Sequence, residues 1–523
     1  MIAWRISDIM KSSKFPLTVF LCFYLFFCLF TFRDYGIAAD EEIWYTQAGR
    51  YVKHYIHQAT DLDEKDGIFS IQQASHNYIY PAVLRLLCPK KAEDYHLVNL
   101  LLAIPVYFAV YGILFLAYQN AWLAFLGPVF LFLFFRFTGD VPINPKDGPF
   151  AVYYFFGLAW IYLSRYRIKD VRLESIILGV LIGLATTIRA VGITLFPMMI
   201  LYRFYEHYLD RKSAGLKFDF KEWLTKEWLN FALVFIVSQC WIMAFWPYLG
   251  SNYFGNLLNV FLQSKSYEFD FPMAFMGQPI SALHRPWYYL IVWYGICTPL
   301  FILSFFLASF YVFRKKMATM AGKLYFLLAS TFLFQLVLYL VLQPIICNSM
   351  RHYLFIAPIM SAMAVMAFIE FFSSDYSKIF KRGVGTLVIF NVILVLVEFF
   401  RLYPYHYIYF NELVGGLKGA EGRYETEYWN TSFKEASEWL GRNEAVDPNR
   451  IYRIKLGGTA WQELYYFKPN MLGATDMKDP EYEILELRRD MVPLTPNQKL
   501  IYAVTREGVP FVRVLKYVPV PGT

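Results

Sequence analysis

Three consecutive carboxylates, Asp40, Glu41 and Glu42, stand in the stretch "ADEEIWYTQAG" (39–49), about eight residues after a long apolar run. A second acid, Asp147, lies in "GDVPINPKDGPF" (139–150), immediately before another apolar run. Two carboxylates at one water–lipid boundary can support acid/base chemistry. Each also has a plain structural role open to it: Asp40 and Asp147 sit where helices begin, and Asp is a good N-cap. The two roles are compatible, because a helix N-terminus also fixes the direction of a carboxylate. Cations accompany the acids. Arg189 is the sole charge in the 28-residue stretch 175–202, "SIILGVLIGLATTIRAVGITLFPMMILY". An intramembrane Arg costs roughly 2.5–3.5 kcal/mol even on mild scales, so it calls for a function or a partner. Lys146 precedes Asp147. Arg351 and His352 lie in "NSMRHYLF" (348–355), and His284 and Arg285 in "SALHRPWYYL" (281–290). Singly these are ordinary interfacial anchors. Together they would make a site for an anionic group such as phosphate, with Arg suited to bidentate contact.

The elements that must bring these residues together are membrane helices. The chain of 523 residues is 57% hydrophobic and 17% charged, with 51 Phe and 41 Tyr. That exceeds the roughly 45–50% apolar content of soluble domains. "FPLTVFLCFYLFFCLFTF" (15–32) is uncharged, long enough to cross a bilayer, and followed by no cleavage site of signal-peptide type. Further segments are expected near 96–117, 122–137, 149–164, 229–248, 287–313, 324–344, 352–372 and 385–402. The stretch 175–202 has basic flanks on both sides, "RYRIKDVR" (165–172) before it and Arg203, Arg211, Lys212, Lys217 and Lys221 after it. Both flanks belong on the cytoplasmic side. A hairpin of two short helices with Arg189 near its apex satisfies this, and brings the total to about eleven segments. Counting from a cytoplasmic N-terminus (Arg5, Lys11, Lys14), "RKKMATMAGK" (314–323) and "KIFKRG" (378–383) also fall inside. The outer side receives the loops 33–95, 138–148 and 249–286, the region 345–351 and the C-terminus. Asp40, Asp147, Arg189, Arg351, His284 and their neighbours then share one face.

Two domains follow: a transmembrane domain over 1–402 with those three outer loops, and a polar extracytoplasmic α/β domain over 403–523. Within the second, "TSFKEASEWL" (431–440) predicts a helix with Thr431 or Ser432 as N-cap. "RIYRIKL" (450–456), "LIYAVT" (500–505) and "PFVRVLKY" (510–517) predict strands, with a turn at "REG" (506–508). "NTS" (430–432) is a formal N-glycosylation sequon.

The net charge of +8 falls in loops between apolar runs, so it follows the positive-inside rule and does not predict nucleic acid as a partner. Six cysteines show no C-x-x-C spacing. Cys22, Cys28, Cys240 and Cys297 lie in apolar runs, while Cys88 and Cys347 fall near the outer side, where a pair is open to them. No metal site is indicated, although a divalent ion is not excluded, and no other cofactor is predicted. There is no G-x-G-x-x-G after a strand, no G-K-[ST] loop and no H-E-x-x-H; "GGLKGAEG" (415–422) has the wrong spacing. Soluble nucleotide binding and zinc hydrolysis lose their usual signatures.

The ordered set of motifs resembles the membrane glycosyltransferases of the GT-C class, and within it the protein O-mannosyltransferase and lipid A aminoarabinose transferase group. The matching pieces are "ADEEIWY" (39–45), "NPKDGPFA" (144–151), "IRAVG" (188–192), "HRPWYYLIVW" (284–293) and "RHYLFIAP" (351–358). "YPYHYIYFNELVGG" (403–416) and "GRYETEYWNTSFKEASEWL" (422–440) look like a bacterial subgroup. The resemblance implies a polytopic α-helical fold in a bacterial inner membrane. It implies a sugar donor linked to a polyprenyl phosphate, a protein, lipid or glycan acceptor on the outer face, and inversion at the sugar carbon. Asp40 would be the general base, Glu41 the second acid of that loop and Asp147 the acid of the next outer loop. The donor phosphate would meet Arg189, Arg351, Lys146, His352, His284 and Arg285. This chain departs from the pattern in its third acid, Glu42. It also has only His76 and Pro81 in "SHNYIYPAV" (75–83), where relatives often carry a basic residue with prolines. That second departure shifts the phosphate contact to Arg189 and Arg351. A transporter or flippase of a lipid-linked saccharide is the chief rival; it would place ionisable groups near mid-membrane and show repeat symmetry. A non-catalytic assembly protein is a third reading, which independence from Asp40 would favour.

Overall fold

The computed structural model describes residues 2–56, 79–87, 93–250, 252–266, 270, 272–458, 460–487 and 493–519. His76 and Cys88 lie outside them.

Long apolar runs with no aqueous partner for their backbone must close their hydrogen bonds internally, and the chain is accordingly a helical membrane protein. Helix α1 (Ile2–Thr31) leads into α2 (Glu41–Ile56); α3 (Ile79–Leu87) and α4 (Asp94–Leu102) precede α5 (Ile104–Tyr118) and α6 (Ala121–Phe132). Next come α7 (Phe135–Asp140), α8 (Asp147–Arg167), α9 (Val171–Ile188), α10 (Leu195–Ser213) and α11 (Phe220–Phe245). Helix α12 (Tyr253–Ser266) and the hairpin of β1 (Pro272–Phe275) and β2 (Gln278–Ser281) form a loop layer. The membrane part ends with α13 (Tyr289–Cys297), α14 (Leu300–Val312), α15 (Met320–Leu342), α16 (Ile356–Ser373) and α17 (Lys378–Leu402). Among the described residues seven helices are long and apolar enough to cross a membrane: α1, α4–α5, α9, α11, α15, α16 and α17. The other expected segments correspond to α6, α8, α10 and α13–α14, which are shorter, broken or charged at their ends. Helix α16 is central, with 72% of its apolar window buried, whereas α17, at 6%, faces outward.

Three expected single segments are interrupted, the run 96–117 only briefly, at Ala103 between α4 and α5. The run 287–313 breaks at Thr298–Pro299, since Pro has no amide to donate and constrains the residue before it. Asn411 repairs the break, its amide donating to the carbonyls of Gly295 (2.7 Å) and Thr298 (2.8 Å), while Asn391 accepts from Phe301 N–H at 3.0 Å. The run 122–137 breaks between α6 and α7, where Thr138 Oγ1 donates to Phe132 O at 2.6 Å.

The stretch 175–202 is two helices parted at Arg189, as the basic flanks require. Glu174 at the start of α9 pairs with Arg203 midway along α10 and accepts from Ser164 at 2.9 Å. Arg165, at the end of α8, reaches Glu206 of α10 at 3.1 Å and Glu227 of α11 at 3.6 Å. One ionic layer therefore gathers the end of α8, the start of α9, the middle of α10 and the first third of α11, and the α9–α10 apex lies toward the other face.

After α18 (Gly416–Ala420) and α19 (Phe433–Asn443), the chain forms β3 (Tyr452–Leu456), α20 (Ala460–Tyr465), β4 (Met471–Ala474), β5 (Tyr482–Glu486), β6 (Gln498–Arg506) and β7 (Val509–Tyr517). The sheet order is β4-β3-β5-β7-β6. β3 pairs parallel with β4 and β5, and β7 pairs antiparallel with β5 and β6. The expected turn at 506–508 joins β6 to β7 through Glu507 and Gly508, whose φ values are 52° and 80°. β4, β5 and α20 were not expected. Nor does α19 carry the expected side-chain cap: Ser432 makes none, and Thr431 Oγ1 shares a hydrogen bond with Tyr407 at 2.8 Å. Asn430 and Thr431 are buried, so the sequon is closed to glycosylation in the folded chain.

Candidate active site

Asp40 is positioned from two sides. Its own carbonyl accepts the Trp44 amide at 3.1 Å, so it opens α2. Trp44, Ala48 and Tyr51 are buried on one face of that helix, matching the helical spacing in the sequence. The preceding loop is clamped by the C-terminal domain: Ala39 N–H donates to Trp429 O at 2.8 Å, Gln462 to Ile37 O at 2.5 Å, and Ile37 N–H to Tyr466 Oη at 3.0 Å. A Cβ on Gly36 would lie 2.0 Å from Thr431 O, so this close approach requires glycine. The Asp40 carboxylate accepts from Arg351 at 3.1 Å and is 37% exposed.

Asp147 is the first residue of α8, but it does not cap the helix. Asn144 does so: its Oδ1 accepts the amides of Lys146 (3.2 Å) and Asp147 (2.8 Å), and its Nδ2 donates to Asp147 Oδ2 at 3.0 Å. The Asp147 carboxylate, 4% exposed, is thereby free to pair with Arg189. Arg189 ends α9 in an extended conformation, and the chain turns tightly after it. A Cβ on Gly192 would sit 2.4 Å from Thr186 N. A polar trio fixes the apex from beneath: Gln335 donates to Tyr154 Oη at 2.8 Å and Thr194 Oγ1 at 2.7 Å, which lie 3.0 Å from each other.

Arg351 opens a 3₁₀ turn before α16. Asn348 and Ser349, just ahead, have φ of 54° and 67°, and for Ser349 that left-handed conformation carries strain of about 1–3 kcal/mol. Its amide donates to Tyr289 Oη at 3.2 Å. Arg351 also donates to Cys347 Sγ at 3.5 Å and lies over the Trp429 ring at 4.6 Å. Lys146 is buried among these groups. Burial pushes its pKa well down, Arg189 and Arg351 add to that, and Asp147 and Asp40 oppose it. Asp40, Lys146, Asp147, Arg189 and Arg351, from four separate places in the sequence, therefore share one electrostatic neighbourhood.

Other expected residues stand apart. Glu41 turns away from Asp40 toward the core, bonding to His96 Nε2 at 3.1 Å and accepting from Ala38 N–H at 2.9 Å. Its place in the structure is that of a buried anchor for the loop. Glu42 and His284 are exposed, and His352 is half-buried beside Arg351. Arg285 is spent on backbone, donating to Ala282 O at 2.8 Å and to Pro344 O.

The structure also supplies site residues that sequence reasoning did not single out. Asp140, buried, accepts from Trp429 Nε1 at 2.7 Å and from Tyr428 Oη at 3.4 Å. Burial raises its pKa to about 7 and Asp147 adds to this, while the Trp429 hydrogen bond, Arg351 and Arg136 hold it down. Arg136, fully buried, sits over Phe410 (4.9 Å), Trp293 (5.4 Å) and Tyr428 (5.9 Å). A chain of contacts thus runs from Asp140 through Trp429 and Arg351 to Asp40. Arg136 carried the same signal as Arg189, a lone cation in an apolar run, in "LFLFFRFTG" (131–139). Among the described residues no group of three or more His, Cys, Asp or Glu is arranged to hold a metal ion.

No family model matches the chain, and no curated protein matches it. Solved structures do. ArnT from Cupriavidus metallidurans, bound to undecaprenyl phosphate, aligns with a TM-score of 0.50 at 13% identity, covering 95% of this chain and 97% of that one. The oligosaccharyltransferase AglB from Archaeoglobus fulgidus, in complex with an inhibitory peptide and a dolichol-phosphate, aligns at 0.42 and 12% identity over 82% of this chain. The apo oligosaccharyltransferase from the same organism aligns at 0.41 and 11% over 88%. This chain spans only 60% and 63% of those two proteins. The whole-length match to ArnT gives this polytopic membrane protein the GT-C fold, as the resemblance implied.

Proposed function

We propose that the chain is a glycosyltransferase that moves a sugar from a polyprenyl-phosphate donor to an acceptor on the outer face of a bacterial inner membrane, with inversion. The N-terminus is then cytoplasmic and the C-terminal domain extracytoplasmic. The observation that carries this reading is the convergence of Arg189, Lys146 and Arg351 with two carboxylates at one end of the helix bundle, in a fold shared with a protein solved with undecaprenyl phosphate. The three basic groups receive the donor phosphate. The arriving phosphodiester monoanion favours protonation of Lys146, which burial otherwise disfavours.

Asp40 is the base because it is open where Asp147 is not, 37% against 4% exposed. Arg351 holds one Asp40 oxygen, and the other takes the proton from the acceptor hydroxyl or amine. The acceptor atom bonds to the anomeric carbon from the side opposite the phosphate. The bond from that carbon to the phosphate oxygen breaks, and the lipid phosphate leaves with the electron pair. Cations fixed near that oxygen stabilise the charge as it develops. The test is incubation of purified protein with a panel of polyprenyl-phosphate sugars and acceptors. Release of polyprenyl phosphate with at least one sugar is expected, and no release across the panel by protein that still binds polyprenyl phosphate counts against the reading.

A further inference from the structure

Trp429 is tied to both members of the Arg351–Asp40 pair. Its carbonyl accepts the amide of Ala39, next to Asp40, at 2.8 Å, and its ring centroid lies 4.6 Å from the Arg351 guanidinium. A third contact is at the edge of the indole, where Nε1–H donates to Asp140 Oδ1 at 2.7 Å. Trp429 and Asp140 are each 1% exposed, so bulk water does not compete for either.

A carboxyl is a costly group for that place. Its hydrogen-bond donors are neutral: Trp429 and, at 3.4 Å, Tyr428 Oη. Arg351 and Arg136 act on it through space, and Arg136 is committed to Tyr409 O and to the rings of Phe410 and Trp293. Burying a charge without a direct ion pair is unfavourable, and an amide or hydroxyl would accept the indole N–H without that penalty. What the charge alone adds is polarisation. A carboxylate makes a charge-assisted hydrogen bond to the indole N–H and pushes electron density into the ring. A more negative ring face holds a guanidinium more strongly, and such mutual polarisation is greatest in a low-dielectric interior.

We infer that Asp140 is a positioning residue: its carboxylate anchors the Trp429 indole and enriches the ring face that holds Arg351, which keeps Arg351 in place against Asp40. The inference rests on the proposed transfer, in which Asp40 and Arg351 act; Asp140 itself stays behind Trp429. Burial and Asp147 raise the pKa of Asp140 to about 7, while the Trp429 hydrogen bond, Arg351 and Arg136 lower it, so Asp140 is charged above about pH 7 and neutral below. From the turn packed on Gly139, His406 faces Phe399 O and Tyr407 faces Glu427, and α6 brings no ionisable group. Transfer should therefore rise with pH through about 7, as the carboxylate form takes over.

The test is the pH profile of sugar transfer by wild type, Asp140→Asn and Trp429→Phe, all on the donor and acceptor that wild type uses. Asn keeps an acceptor for the indole N–H and stays neutral. A polyprenyl-phosphate sugar is a phosphodiester whose charge is constant over this range, and Lys146 is common to all three proteins, so differences between the profiles report Asp140. The kcat of wild type should gain roughly three- to tenfold through this group between about pH 6 and pH 8, within what a cation–π contact is worth. Asp140→Asn should run at the low-pH rate of wild type throughout, without the rising limb. Trp429→Phe should lose the limb as well, because the path from Asp140 to Arg351 is cut; should Asp140→Asn fail to fold, Trp429→Phe decides alone. Infrared difference spectra over the same range, which need no turnover, should show a buried carboxyl ionising in wild type and missing from Asp140→Asn. Identical spectra, or a limb that survives in Asp140→Asn, overturn the inference. So does a limb that persists in Trp429→Phe at higher pH, the mark of a charge felt only through space, since losing the Trp429 hydrogen bond raises the pKa of Asp140. No transfer by wild type at any pH would instead overturn the reaction, and this role with it.

Discussion

Arg189 and Asp147 form a pair whose members differ in burial, and the difference predicts opposite outcomes for two conservative variants. Asp147 is 4% exposed and Arg189 is 19% exposed. Arg189→Gln strands a buried carboxylate that keeps only the Asn144 amide and its neighbouring cations. Breaking a buried pair costs about 3–5 kcal/mol, and the partial exposure of Arg189 reduces this to about 2–4 kcal/mol. Asp147→Asn leaves the guanidinium closer to water and should cost about 1–2 kcal/mol. The double variant should cost less than the sum, by about 1–3 kcal/mol, because either single change already breaks the pair and the second removes the partner left stranded. Ligand binding should then split the variants. If Asp147 occupies Arg189 until a lipid phosphate takes its place, Asp147→Asn should bind polyprenyl phosphate roughly tenfold tighter, since one charge-assisted hydrogen bond no longer has to be displaced. Arg189→Gln should bind it more than tenfold weaker. Denaturant titrations in detergent give the first set of numbers, and calorimetric titration with polyprenyl phosphate gives the second. Additive stability losses, or equal weakening of the ligand by both variants, would refute the reasoning.

Three further outcomes follow from other parts of the structure. Trp429→Phe keeps a face for Arg351 but removes the donor to Asp140, and Trp429→Leu removes both; turnover should fall in both and further in Leu, because a cation–π contact is worth about 0.5–2 kcal/mol. Glu463, buried in the C-terminal domain, has its pKa raised to about 8, first by burial and then by Glu486, with Gly457 and Gly458 amides opposing. A carboxyl whose folded pKa is raised loses stability as pH rises from its unfolded value toward the folded one. Unfolding temperature should therefore fall between about pH 4.5 and pH 8, and Glu463→Gln should flatten that slope. Arg285→Ala should lower the unfolding temperature while leaving polyprenyl-phosphate affinity unchanged, because its guanidinium holds the carbonyls of Ala282 and Pro344.

The placement of Asp40, Lys146, Asp147, Arg189 and Arg351 on one face was legible in the sequence because it follows from counting crossings, and basic flanks decide crossings. The hairpin around Arg189 was the pivotal inference; the ionic layer of Arg165, Glu174, Arg203 and Glu206 is its structural counterpart. Which acid of three faces the site was not legible. Adjacent residues at a helix start point in different directions, and only the position of His96 decides that Glu41 turns inward. Asp147 as a helix cap was reasonable and incorrect, because Asn144 three residues earlier takes the amides first. Asp140 and Trp429 meet from positions 289 residues apart, a pairing that no local pattern encodes. In the C-terminal domain β3, β6 and β7 were legible, β3 with its buried and exposed residues alternating, whereas β4 has only four residues and β5 buries three in succession, Tyr482, Glu483 and Ile484, so neither shows a period of two.

Asp40→Asn tests the central claim most directly. Asn matches Asp in size and capping ability, so the loop and α2 should be preserved and polyprenyl phosphate should still bind. The amide cannot take the acceptor's proton, and the rate of sugar transfer should fall by roughly 10²–10⁴. Glu42→Gln, at an exposed position in the first turn of α2, serves as the control and should be mild. Turnover assays of both variants on the donor that wild type uses, with unfolding temperature and lipid-phosphate binding measured alongside, give the answer. Loss of turnover in Asp40→Asn alone, with stability and binding intact, is the predicted result; near-wild-type turnover in Asp40→Asn would remove Asp40 from the chemistry and contradict the account.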